Sequence, residues 1–396
     1  MNMINSSKIK LLVLFLVGYV QLNAQQDMRL LIDNNLKKSV SQYKYLSANV
    51  PFNQMPKTFA NNKWILSDRT WWCSGFYSGT LAYLYEATGE EWIKQELKIR
   101  LDSLESEKYN SGDHDLGFKM YCSFGNAYRL TKDVKYKNVI LTSANTLATR
   151  YRPQIKAIQS WPASNKFKCP VIIDNMMNLE LLLWSAKNGG NDSLATIALN
   201  HANTTITNQF KKDNSCYHVV DYNLGTGKAE RKMTAQGASD SSSWSRGQGW
   251  ALYGYTMMYR FTKNPVYLKQ AQKIAKFILQ NKNLPQDKIP YWDFDAPGIP
   301  NALRDVSAAT VYASALLELG QYVGKTDRTI YVKNAALILK SLSTSQYMAE
   351  GKSNGGFLLK HSVGSIPHNV EIDVPLTYAD YYFVEAMLRY KKWYLN

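Results

Sequence analysis

One phrase returns along this 396-residue chain: an apolar helix end, a short polar turn, an aromatic or apolar anchor, then a second helix with a polar face. YLYEATGEEWIKQEL from Tyr83 has counterparts in AYRLTKDVKYKNVIL from Ala127 and MYRFTKNPVYLKQAQKIAKFIL from Met258. Looser copies are LLWSAKNGGNDSLATIALNHANTTI from Leu182 and LGQYVGKTDRTIYVKNAALILKSL from Leu319. The turns use Gly89, Lys132-Asp133, Gly189-Gly190, Asn264-Pro265 and Gly324, residues that favour leaving or entering helices. The helix before each turn is apolar nearly all round, as in NLELLLW and SAATVYASALLEL, and belongs inside; the one after it carries Lys and Gln at helical spacing and belongs outside. Five copies, plus a sixth split between a helix near Gln26 to Val40 and the C-terminal YADYYFVEAMLRYKKW, predict a closed ring. The expected fold is all-α, an (α/α)6 barrel of six helical hairpins in inner and outer rings. An open solenoid is the alternative, but the unlike polar ends of capping repeats are not evident. Strand signals are sparse, apart from Gly355 to His361.

In such a ring the segments entering the inner helices converge on one mouth. They are Arg69-Thr70-Trp71-Trp72, Asp113-His114-Asp115, Ile173-Asp174-Asn175, Ser243 to Trp250 and Arg304-Asp305, with Asp380 just ahead of Tyr381-Tyr382-Phe383. An aspartate before a helix usually accepts a hydrogen bond from the first turn. Asp113, Asp305 and Asp380 read as caps or inner-ring hydrogen-bonders of that kind. Caps do not explain Trp71, Trp72, Trp161, Trp244 and Trp250 beside them. Flat rings with a polar edge stack on sugars, and a basic residue among them suits an acidic sugar.

Residues 1–24 read as a secretory signal peptide: Lys8 and Lys10, the apolar run Leu11 to Val20, and Leu22-Asn23-Ala24 before the cut. Residues 25–396 are then a single domain, exported to the periplasm in the first instance and to the medium in the second, with no membrane anchor. Without Lys8 and Lys10 the net charge falls from +16 to +14, which calls for an anionic partner. The basic residues are dispersed rather than clustered, so no nucleic acid is expected, and an acidic polysaccharide fits an exported protein better. The four cysteines, Cys73, Cys122, Cys169 and Cys216, stand singly without a C-x-x-C pair. That spacing supports no metal site, and one disulfide among them stays open.

Six words then make a resemblance specific: HDLGF (His114 to Phe118), IDNMMNL around Asp174, CYHVVDYN around His218, WSRGQGWALYGY (Trp244 to Tyr255), RDVSAATVYASALLEL, and PLTYADYYFVEAMLR. In these, and in their order from about Trp72 to Arg389, the chain resembles the unsaturated glucuronyl hydrolases, glycoside hydrolase family 88. The resemblance implies a glycosidase that removes a 4,5-unsaturated hexuronic acid from the non-reducing end of lyase-generated, glycosaminoglycan-type oligosaccharides. It does so by hydrating the C4=C5 bond, with no cofactor, and a monomer is expected. By their match, Asp174 is the general acid/base and Asp115 the second essential carboxylate. His218, Gln236, Trp244 and Arg246 match positions that contact the unsaturated sugar. Trp71 or Trp72, Trp161 and Trp250 are candidate stacking walls, and His114 supports Asp115. The segment HSVGSIPH (His361 to His368), where the family walls the second sugar, matches least.

Three alternatives stay in view. The unsaturated rhamnogalacturonyl hydrolases share the barrel and the hydration chemistry, but the HDLGF word argues against them. A polysaccharide lyase on an α/α toroid would create the absorbance that a hydrolase removes. A non-catalytic binder of acidic sugars would not place two carboxylates where an anion must dock.

Overall fold

A computed structural model describes residues 6–395, with side chains from residue 25 onward, so the signal-peptide reading lies outside the described residues except for the backbone of 6–24. The inner helices are α2 (Ser74–Thr88), α4 (Asn126–Thr131) with a π-helical stretch, Gly117–Gly125, running into it, α6 (Asn175–Lys187), α8 (Ser245–Thr262), α10 (Val306–Leu319) and α12 (Thr377–Tyr394). The outer ones are α1 (Ser6–Asn49), α3 (Glu91–Leu104), α5 (Val134–Ala148), α7 (Ser193–Asn208), α9 (Pro265–Gln280) and α11 (Lys325–Leu342). Each inner helix packs on the next, and α12 packs on both α10 and α2. That contact closes the ring, so the solenoid is excluded and the fold is an (α/α)6 barrel.

Composition explains the layering. Every residue of α10 is buried, whereas α9 buries only Tyr267, Gln270, Ala271, Ile274, Ala275 and Ile278, a single stripe at helical spacing. The inner-to-outer turns are short and chemically ordinary. Gly89 and Lys132 take left-handed conformations to end α2 and α4, and Asp133 and Asn264 cap α5 and α9 through Lys135 N–H and Val266 N–H. The sixth hairpin, α12 with α1, has no connecting turn. Its seam is held by Lys391 on Asp33 at 2.7 Å and by Arg29, which donates to the carbonyl of Leu395.

The outer-to-inner connections are different. They carry four small antiparallel sheets: β1 (Met55–Ala60) with β2 (Lys63–Ser67); β3 (Tyr151–Arg152) with β4 (Ala157–Ile158); β5 (Pro170–Ile172), β6 (Val219–Asn223) and β7 (Lys228–Met233); β8 (Ser362–Ser365) with β9 (Val370–Val374). The strand expected at Gly355 to His361 is instead a loop with one isolated bridge, Met348 to Leu359, and the strand begins only at Ser362. Strands this short leave too little alternation to read from a sequence. All four sheets stand at the end of the barrel where the inner helices begin, around a bowl.

Among the described residues no helix is long and apolar enough to cross a membrane. The four cysteines are free thiols, which settles the open disulfide; Cys122 is only partly buried.

Candidate active site

Strand β5 runs straight into α6, and the residue at the joint is Asp174. Its backbone is already helical, with φ −58° and ψ −28°, and its side chain makes no cap hydrogen bond. Asp133, Asn264 and Asp305, at the same position of their helices, all make one. The Asp174 carboxyl is left to point elsewhere, and the sheet decides where. Ile173 N–H donates to the His218 carbonyl at 3.0 Å, which lays β5 beside the start of β6 and puts Asp174 Oδ2 3.7 Å from His218 Nε2. Burial pushes the Asp174 carboxyl up to about 7, against the Arg246 charge and its own backbone N–H.

The histidine's tautomer follows from its other nitrogen. His218 Nδ1 accepts from the backbone N–H groups of Ala235 at 3.1 Å and Gln236 at 3.2 Å. Burial lowers its pKa to about 3, so the ring is neutral and its one proton sits on Nε2, facing Asp174. Trp244 holds the ring from behind, with centroids 4.5 Å apart.

Asp115 arrives from the segment that leads into the π-helical stretch. Capping there falls to Asp113, which accepts from Asp115 N–H at 2.8 Å and pairs with the buried Lys119 at 3.0 Å. Asp115 is thereby free, and His114 Nε2 stands 3.5 Å from its Oδ1. Burial first, then the charge of Asp113, hold the Asp115 carboxyl well above the ordinary carboxylate range; Lys119 and Asn178 oppose them and Asp174 adds to them. Burial likewise keeps His114 uncharged.

Arg246 is wholly buried, at 1% exposure. Its Nη1 donates to Asp305 at 2.9 Å and to the Val363 carbonyl at 2.5 Å, and Nη2 donates to the Gly364 carbonyl at 2.7 Å. Asp305 meanwhile caps α10 through Ser307 N–H at 3.0 Å, so one carboxylate orders both the helix and the arginine. Nε has no partner, and one N–H of Nη2 is left over. That side-on edge is the one an arginine uses for a bidentate carboxylate.

A cavity of about 390 Å³ gathers Trp72, His114, Asp115, Trp161, Asp174, His218, Gln236 and Arg246 from segments far apart in the chain. Four buried polar atoms on these residues lack any partner: His114 Nδ1, Asp174 Oδ2, His218 Nε2 and Arg246 Nε. Buried polar atoms are nearly always satisfied, so this concentration marks a place that expects a polar ligand. A second cavity of about 450 Å³ at the opposite end, where the inner helices finish, holds none of the sequence's candidates. Its charges pair among themselves, with Arg260 beside Glu180 and Glu318 at 2.9 and 3.0 Å, and Arg389 on Glu318 and Glu385 at 3.0 and 3.1 Å, although Nε and Nη2 of Arg260 also lack hydrogen-bond geometry.

Three tryptophans do not stand where the sequence placed them. Trp250 has no exposed surface and packs on Phe118 and Tyr382 at 5.1 and 5.5 Å, so it belongs to the core beneath the bowl. Trp244 is 3% exposed and off the cavity wall; it supports His218 and lies under the Arg246 guanidinium at 4.5 Å. Trp71 faces outward beneath Lys57, at 4.1 Å, leaving Trp72 and Trp161 as the aromatic walls. The bowl also uses Lys166, Phe167, Ile172 and Ala235, none of which the sequence singled out, and His368, the last residue of the weakly matching HSVGSIPH segment. They sit in connections with no helical period to mark which side chains point inward.

A carboxyl that keeps its proton near neutrality, a second one beside it, and aromatic walls with an anion-seeking arginine edge define a glycoside hydrolase for acidic sugars. The chain belongs to glycoside hydrolase family 88: the family model, Glycosyl Hydrolase Family 88, matches residues 47–281. An unsaturated glucuronyl hydrolase of Formosa agariphila is 45% identical over 320 residues, 80% of this chain and 79% of that protein. The crystal structure of an unsaturated glucuronyl hydrolase specific for heparin superposes with a TM-score of 0.89 at 41% identity, covering 91% of this chain and 97% of that one. A variant of the enzyme from Streptococcus agalactiae, complexed with dGlcA-GalNAc6S, superposes with a TM-score of 0.79 at 27% identity, covering 91% and 92%.

Proposed function

We propose that this glycoside hydrolase removes a 4,5-unsaturated hexuronic acid from the non-reducing end of glycosaminoglycan-type oligosaccharides left by a lyase. The observation that carries the reading is the uncapped Asp174, raised to about 7, in one bowl with Asp115. The names of the relatives support the same substrate class.

In the reaction Asp174 gives its proton to C4 of the vinyl ether, and positive charge spreads over C5 and the ring oxygen. The ionised carboxylate then takes a proton from the water that adds at C5. The resulting hemiketal opens and the aglycone leaves. One water is consumed and Asp174 ends as it began, so the reaction balances with the carboxyl and water alone. Asp115 holds the sugar hydroxyls, and Nε2–H of His218 donates into the same space. The free edge of Arg246 takes the uronate carboxylate, with Gln236 beside it, while Trp72 and Trp161 face the rings. An anionic sugar tolerates two nearby carboxyls only because one of them is neutral.

The protein works as a single-domain monomer, exported after removal of residues 1–24, where products of extracellular lyases are met. The test is optical. Purified protein should bleach the ultraviolet absorbance of unsaturated disaccharides from chondroitin, hyaluronan or heparin. Asp174→Asn should lose about 1,000-fold or more in kcat while binding and folding are retained. A wild-type rate in that variant would remove Asp174 from the acid's role.

A further inference from the structure

One residue that the reaction does not touch ties together the two segments that carry the carboxyls. Asn178 is 1% exposed and lies one turn into α6, four residues after Asp174. Its Oδ1 accepts from the backbone N–H of Phe118 at 2.9 Å, within the π-helical stretch that starts two residues after Asp115. Its amide nitrogen stands 3.5 Å from the Asp174 carbonyl, and the carboxamide draws the pKa of the Asp115 carboxyl down. The approach is close: a Cβ on Gly117 would lie 2.5 Å from Asn178 Cα. Only glycine lets the π-helical stretch come this near α6. A π-helix keeps one extra residue per turn and so displaces what precedes it, a device found mostly at functional sites.

No other side chain of this size does both jobs. Leucine would leave the Phe118 N–H buried and unpaired, and aspartate would set a third negative charge against Asp115. The carboxamide accepts on one side and donates on the other without charge.

We propose that Asn178 is a positioning residue that sets the separation of Asp115 and Asp174 and so leaves the acid's proton on Asp174. The inference rests on the reaction proposed above. The charged and titratable groups facing Asp115 are Asp113, Lys119, His114 and Asp174, with Arg150 and Cys73 farther out; those facing Asp174 are Arg246, His218 and Cys216. None of these lies on the joint between α6 and the π-helical stretch as Asn178 does.

The experiment uses Asn178→Asp, which keeps an acceptor for Phe118 N–H and removes the donor, beside Asn178→Ala. For both, kcat should fall about 30-fold or more with KM within about 3-fold, and the pH–rate profile should move by about one pH unit. In parallel, carbon-13 NMR of the aspartate carboxyls, without substrate, should show Asp115 titrating at higher pH than in the wild type. An Asn178→Asp protein whose pH profile and Asp115 titration both match the wild type would overturn the inference, whatever its melting temperature. If the wild type fails to bleach unsaturated disaccharides but the Asp115 titration still moves in the variants, the functional reading fails and the positioning role stands.

Discussion

Asp174 and Trp250 show how little a local pattern says about a side chain's duty. Both precede or open an inner helix, yet one carboxyl is aimed into a cavity and the other ring is sealed under it. The difference is testable at the residue. Trp161→Ala should raise KM about 10-fold and leave the melting temperature nearly unchanged, since its ring faces the bowl. Trp250→Ala should cost about 3–5 kcal/mol of stability, read by denaturant melts, because it empties a packed core position. Asp174 carries a linkage of definite sign. An acid lifted from 3.8 to about 7 binds its proton more tightly in the folded state, so the protein loses up to about 4 kcal/mol as pH rises through that window. Asp174→Asn should therefore melt higher than the wild type at pH 8, with the gain shrinking towards pH 4. A gain of the same size at both ends would show that the carboxyl is not perturbed.

At the scale of elements, the hairpin phrase was legible because a helix repeats its chemistry every turn, and Gly89, Lys132-Asp133 and Asn264-Pro265 end and start helices as their residue types require. Asp115, Asp174 and His218 were legible through short words that survive in the connections, and Gln236 only through its spacing within a weakly matching loop. The sheets were not, since strands of two to six residues carry no period of their own. Nor was the π-helical stretch, which looks like any apolar helix until the Phe118 N–H is found bonded across to Asn178. Lys166 and Phe167 went unseen for a related reason: loop side chains are aimed by backbone turns, not by spacing. Among these elements Asp305 ties three together, capping α10, holding Arg246 of α8 and accepting from Val363 N–H of β8 at 3.3 Å. Asp305→Ala should cost about 3–5 kcal/mol, the penalty for stranding a buried arginine, and should raise KM as the guanidinium loses its bearing. A melt within a degree or two of the wild type would contradict that coupling.

For the whole molecule, the excess of basic residues acts at a distance that no single contact explains. A field from a net +16 draws anionic oligosaccharides towards the bowl, and added salt screens it. We expect kcat/KM to fall several-fold between about 0.05 M and about 0.5 M sodium chloride, with kcat nearly constant; a flat response would assign recognition to the bowl alone. The ring also has a seam. Arg29 reaches Leu395, and α1 and α12 pack as a hairpin whose turn was never made. A short peptide tether can thus splice residue 395 to residue 25, and the circle can be reopened at the exposed turn of Gly89, where an added Cβ would touch nothing. Such a circular permutant would keep the sugar-binding bowl intact at the far end, because every loop that builds it lies away from both the splice and the new cut.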